Sequence, residues 1–149
     1  MKFIINRLSI KELVDLKRFH VKCFCSYIIS DISFVNYFTM PQYIVMAAID
    51  VRGVILGYAI CSALFDEIDI IFLGVALENR CCGIASQILN KIVNSMPALK
   101  RIYLEVDINN IGAMTFYRKK GFEIIRIRKM YANGRDAYEM MKKIYDIDL

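Results

Sequence analysis

The stretch Val75-Ala76-Leu77-Glu78-Asn79-Arg80-Cys81-Cys82-Gly83-Ile84-Ala85 joins a strand-like apolar run to the start of a helical pattern. Small residues at 83 and 85 let a ligand approach the backbone closely, and a helix N-terminus aims unsatisfied N–H groups outward. Such a turn suits an anion, a pyrophosphate in particular. A plain strand-to-helix loop, using glycine for its dihedral freedom, accounts for the same residues. The single histidine, His20, falls on an N-terminal helical pattern and is expected at the surface or half-buried, not as a base. The five cysteines, Cys23, Cys25, Cys61, Cys81 and Cys82, are odd in number and match no paired zinc spacing. Adjacent thiols at 81 and 82 chelate one ion poorly, so no metal is expected, and five reduced thiols point to a cytoplasmic protein. A basic cluster, Arg118-Lys119-Lys120 with Arg126, Arg128 and Lys129, could steer a polyanion. It lacks the interleaved aromatics of a nucleic-acid stacking platform, so solvated surface is expected for most of it and a nucleic-acid partner is not.

These residues need elements to hold them. Residues 3–8 read as a strand, after which Ser9 and Glu12 form a capping-box pair ahead of Leu13, Leu16 and Phe19 at helical spacing. A shorter helix is expected after Ser30-Asp31, carrying Phe34, Val35 and Phe38 up to Pro41. From Tyr43 the period changes to that of strands: 43–49, a turn at 50–53, then 54–65 as an antiparallel hairpin. A tight turn at Asp66-Glu67 returns the chain as 68–75, whose run Ile70-Ile71-Phe72-Leu73 predicts a strand covered on both faces. Ile84, Ile88, Leu89, Ile92, Val93 and Met96 step at three and four, an amphipathic helix ended by Pro97. A strand at 102–106, a helix at 111–120 closed by Gly121, and a hairpin of 122–128 with 136–144 complete the chain.

Composition bounds what this can be. The sequence has 149 residues, 57% of them hydrophobic and 23% charged, with 7 Gly and 2 Pro. One domain over 1–149 is expected, large enough to bury a core without disulfide or metal staples. The mean hydropathy of +0.40 raises the question of a membrane span. The most apolar stretch, 54–75, is broken by Asp66, Glu67 and Asp69, so no membrane association is expected. The start, Met1-Lys2-Phe3-Ile4-Ile5-Asn6-Arg7, is too short for the apolar region of a signal peptide. The net charge of +5 favours an anionic ligand or partner.

Asn110, Ala113, Phe116-Tyr117 and Gly121-Phe122 reproduce an Asn-x-x-Ala-x-x-Phe/Leu-Tyr-x-x-x-Gly-Phe pattern, and Arg80-x-x-Gly83-x-Ala85 a Gln/Arg-x-x-Gly-x-Gly/Ala pattern. In this order and separation the two resemble the GNAT superfamily of N-acetyltransferases. The resemblance implies an α/β fold with a mixed, mainly antiparallel seven-stranded sheet, splayed between its fourth and fifth strands and flanked by about four helices. Leu104-Glu105-Val106, Gly134-Arg135-Asp136-Ala137, Asp66-Glu67 and Met130-Tyr131 further resemble the bacterial ribosomal-protein-alanine N-acetyltransferase type. The chain departs from that type in lacking Trp, in carrying Cys81-Cys82 where Arg and Gln are common, and in a shorter final hairpin loop.

The resemblance implies transfer of acetyl from acetyl-CoA, as co-substrate, to a primary amine. The amine must lose a proton and the departing thiolate must gain one. With no available histidine the base should be a carboxylate; Glu105 occupies the family's base position, although a solvated residue in line with Tyr103 and Asp107 explains it too. Tyr117 is the implied acid, a phenol with a pKa of about 10, against packing beside Phe116 and Phe122. Phe72, Leu73, Gly74 and Val75 are implied to hold the pantetheine and thioester. Arg80, Cys81, Cys82, Gly83, Ile84 and Ala85 are implied to hold the pyrophosphate. Asn110 both caps its helix and contacts the coenzyme in this picture, and Tyr131 lies by the acceptor. A free α-amine loses its proton about 3.4 kcal/mol more easily than a lysine, from a gap of about 2.5 pKa units. A protein N-terminus, such as that of a ribosomal protein, is therefore the expected acceptor of a monomeric enzyme. A lysine, polyamine or antibiotic amine, and a non-catalytic coenzyme A-binding module, stay open as alternatives.

Overall fold

In the computed structural model, residues 1–24, 28–131 and 134–145 are described here, without the side chains of 130 and 131. Seven strands form one sheet of order β1-β2-β3-β4-β5-β7-β6: β1 Phe3–Arg7, β2 Tyr43–Asp50, β3 Ile55–Leu64, β4 Glu67–Val75, β5 Arg101–Asp107, β6 Glu123–Tyr131 and β7 Arg135–Lys143. Four α-helices accompany them among the described residues: α1 Leu13–Cys23, α2 Asp31–Thr39, α3 Ile84–Asn94 and α4 Ile111–Lys119. The chain divides into two compact units, residues 1–63 with 71–97 and residues 64–70 with 98–149.

In the first unit, β1 and β2, then β2 and β3, pair antiparallel. The expected capping box forms: the Ser9 N–H donates to Glu12 Oε2 at 2.7 Å, ahead of a short 3-10 turn that leads into α1. Ser30 caps α2 by accepting from the Ser33 N–H at 3.2 Å. The apolar face of α3 is buried at Ile84, Ile88, Leu89 and Ile92, as its spacing predicts, and the helix stops at Asn94, before Pro97. The core gathers Leu16, Phe19, Phe34, Val45, Tyr58, Ile60 and Phe72.

In the second unit, β4 and β5 run parallel from Glu67↔Arg101 to Ile70↔Leu104. The ladder stops there, in line with the expected splay. β7 enters between β5 and β6, antiparallel to both. The turn before β4 falls one residue earlier than expected, at 65–66, because Glu67 already pairs with Arg101. Phe65 takes the left-handed conformation there, φ 53°. Nor is β4 covered equally on both faces: Ile68, Ile70, Phe72 and Gly74 are buried while Ile71 and Leu73 are only half-buried. No helix among the described residues is long and apolar enough to cross a membrane.

Candidate active site

The loop after β4 is built as an anion cradle would be. Arg80 Nε donates to the Val75 carbonyl at 3.3 Å, tying the loop to the strand end. Cys81 is left-handed at φ 59°, Gly83 at φ 79°, and Cys82 Sγ donates to the Arg80 carbonyl at 3.4 Å. Gly83, with no side chain to cap it, is the N-cap of α3. The free N–H groups of the first turn are left for a ligand, and the helix dipole favours a negative one. A Cβ on Gly83 would meet only Gln87 Nε2, at 3.9 Å, so the space over the loop is open. Cys81 and Cys82 are exposed thiols, Ala85 is half-buried and Ile84 points into the core. These residues fit a pyrophosphate.

The end of β4 is packed from behind. A Cβ on Gly74 would lie 2.7 Å from Phe24 Cε2 and 3.2 Å from Tyr58 Cε1, so only glycine fits under that aromatic cover. Phe72 is buried in the same cluster, while Leu73 and Val75 are half-buried on the opposite side of the strand.

Glu105 lies on β5, whose Ile102, Leu104 and Val106 are buried while Tyr103, Glu105 and Asp107 share the other face. On that face Glu105 is the direct cross-strand partner of Glu139 on β7, and Asp69 on β4 is the partner of Tyr103. Three carboxylates therefore occupy three neighbouring strands. Arg128 ion-pairs with Glu105 and Arg126 with Glu139, while Arg135 lies 3.4 Å from Asp107. Asp69 has no cation partner among the described residues. Partial loss of water, then the charges of Glu105 and Glu139, raise its pKa above the usual aspartate value. Glu105 is thus neither a free solvated residue nor a buried one: 19% of its side chain is exposed and one oxygen is engaged. Arg126 and Arg128 lie at the surface, as expected for most of the basic cluster, and each also binds one of these carboxylates.

Tyr117 is buried on α4, its ring edge-on to Phe116 at 5.2 Å and Phe122 at 5.4 Å. Asn110 caps α4 by accepting from the Ala113 N–H at 3.1 Å through Oδ1. Its Nδ2 has no partner among the described residues, so capping leaves a donor for a ligand. Gly121, at φ 88°, ends the helix, with the Phe122 N–H donating to the Tyr117 carbonyl at 3.0 Å. The side chain of Tyr131, the expected acceptor contact, lies outside the described residues.

Two features were not foreseen from the sequence. His20 is 1% exposed, not a surface or half-buried residue; its Nδ1 lies 2.5 Å from Tyr58 Oη, and Phe24, Phe34 and Phe72 surround its ring at 4.9–5.5 Å. Its place four residues after Leu16, on the buried stripe, was the available signal. The Asp69–Glu105–Glu139 row had none, because it depends on strand register.

Residues 13–122 match the model of the acetyltransferase (GNAT) family, a span that contains the loop, Glu105, Asn110 and Tyr117. The chain belongs to that family. N-alpha-acetyltransferase 50 of Danio rerio is 36% identical over 81 residues, 50% of this chain and 48% of that protein. The [ribosomal protein bS18]-alanine N-acetyltransferase of Haemophilus ducreyi is 34% identical over 79 residues, 52% of this chain and 54% of that protein. The match thus spans about half the length of each of these two relatives. The crystal structure of the ribosomal-protein-S18-alanine N-acetyltransferase from Escherichia coli superposes with a TM-score of 0.86 at 18% identity, over 99% of both chains. The last is a likeness of fold: the GNAT sheet with its parallel β4–β5 pair.

Proposed function

We propose that this GNAT domain transfers acetyl from acetyl-CoA to the N-terminal α-amine of a protein, with the N-terminal alanine of a ribosomal protein as the leading acceptor. The observation that carries the reading is Glu105: it stands on β5 with one oxygen bound to Arg128 and Oε2 without a partner among the described residues. Glu105, as general base, takes the ammonium proton directly or through one water. The freed amine attacks the thioester carbonyl, and the tetrahedral adduct expels the coenzyme A thiolate, which Tyr117 protonates as general acid; the extra proton on the acylated nitrogen restores the Tyr117 phenol, and Glu105 releases its own to solvent. Arg80, Cys81, Cys82, Gly83, Ile84 and Ala85 offer the pyrophosphate its N–H groups. Backbone groups of Phe72, Leu73, Gly74 and Val75 hold the pantetheine, Asn110 adds a side-chain donor, and Tyr131 borders the acceptor.

A protein α-amine is supported by the two relatives, one named an N-alpha-acetyltransferase and the other a [ribosomal protein bS18]-alanine N-acetyltransferase. It is also supported by economy, since a single carboxylate suffices for an amine of pKa about 8 but is a weak base for lysine. In this reading residues 1–149 act as one N-acetyltransferase domain, monomeric and cytoplasmic. Incubation with acetyl-CoA and a panel of ribosomal-protein N-terminal peptides, lysine peptides and polyamines, read by mass spectrometry, tests it. Acetylation of the peptide α-amines is expected. Turnover confined to lysine or polyamines would transfer the chemistry to another acceptor, and coenzyme binding without any turnover would leave only a binding module.

A further inference from the structure

Arg128 and Glu105 are not on adjacent strands. β7 lies between β6 and β5, so the two backbones are about 9.5 Å apart at ordinary strand spacing. The register partner of Arg128 on β7 is Ala137, which is fully buried, and Ala137 in turn faces Asp107. A one-carbon side chain at 137 leaves the arginine a path across the middle strand. The guanidinium then meets Oε1 of Glu105 through Nη1 and leaves Oε2 without a partner among the described residues. We infer that Arg128 is a positioning residue for acetyl transfer, holding one oxygen of Glu105 so that the carboxylate presents the other to the acceptor amine. The inference rests on Glu105 being the base.

The need for such a residue follows from the surroundings. Glu105 has Glu139 of β7 directly opposite, Tyr103 and Asp107 along its own strand, and Asp69 of β4 diagonally across, opposite Tyr103. Asp107 is answered by Arg135 and Glu139 by Arg126. Arg128 is thus the cation of Glu105 in a row where Glu139 and Asp107 have arginines of their own. Because it binds one oxygen only, it fixes the direction of the carboxylate and leaves the other oxygen for the amine.

Steady-state kcat and KM of the full chain at pH 7, with acetyl-CoA and an acetylatable N-terminal peptide, would be measured for the unaltered protein and for Arg128→Met, Arg128→Lys and Glu105→Gln, with thermal unfolding of each. Arg128→Met keeps the apolar stem over Ala137 and removes the charge. It should lower kcat by about tenfold or more while KM for the peptide stays within a few-fold, the signature of a lost transition-state contact. Arg128→Lys should restore most of the rate. A merely structural arginine would change the melting temperature without moving kcat. If Glu105→Gln is inactive while Arg128→Met keeps the original kcat, or is faster, the positioning role is overturned and the base assignment stands. If Glu105→Gln keeps its activity, both fall. Should Arg128→Met fail to fold, Arg128→Gln puts the same question with a polar stem.

Discussion

Glu105 on β5 and Glu139 on β7 face each other directly across an antiparallel ladder, and each is held by a different arginine of β6, Arg128 and Arg126 respectively. Like charges in that position repel and weaken a sheet. The two ion pairs offset the repulsion and leave the third carboxylate of the row, Asp69, without one among the described residues.

Asp69→Asn should make the protein more stable at neutral pH. The folded state raises the pKa of Asp69 through lost hydration and the charges of Glu105 and Glu139, so the stability this group provides is present below its unfolded value, near 3.8. It is lost as pH rises through the folded value. The asparagine never ionises and escapes that loss. Urea unfolding should show the gain at pH 7, and the gain should shrink toward zero as pH falls below the carboxylate range.

Glu105→Gln keeps the shape of the side chain but cannot take a proton. A loss of about 10²–10⁴ in kcat/KM near neutral pH is expected, the usual scale of general-base catalysis. Survival of activity within a factor of about three would mean that Glu105 is only a structural member of the charged row.

Gly83→Glu should remove acetyl-CoA binding, because the carboxylate would enter the open space over the loop and oppose the pyrophosphate. The left-handed backbone at φ 79° also penalises any side chain, by about 1–2 kcal/mol. Gly83→Ala separates the two effects: it carries the same strain without the charge. Calorimetry should find affinity lost in the first variant and held within a few-fold in the second, with lowered melting temperatures in both.

Tyr117→Phe removes one hydroxyl from a ring packed against Phe116 and Phe122. If the hydroxyl serves the leaving thiolate, kcat should fall about 10²-fold, or roughly 2.7 kcal/mol of transition-state stabilisation, with Kd for acetyl-CoA within a few-fold. A normal kcat, with chemistry shown to limit turnover, would return Tyr117 to packing alone.

What the sequence determined by itself was whatever is settled within a few residues. Ser9, Ser30 and Asn110 cap the turns or helices expected of them, since a cap bonds an N–H two or three residues on. Gly83 and Gly121 take positive φ where the chain enters and leaves helices, and Ile84, Ile88, Leu89 and Ile92 fall on one buried face. The motif spacing that marks the family has the same local character. Only the tertiary structure decided what Glu105 faces. A one-residue slip between β5 and β7 would send every side chain of the strand to the other face, and the register is set by pairing over long sequence separations. The insertion of the last strand, β7, between β5 and β6 brings Glu139 opposite Glu105 and opens the path over Ala137 to Arg128. The burial of His20 was decided in the same way: α1 gives it a position on the apolar stripe, but the Tyr58 hydroxyl that accommodates its ring nitrogen comes from β3, a strand distant in the chain.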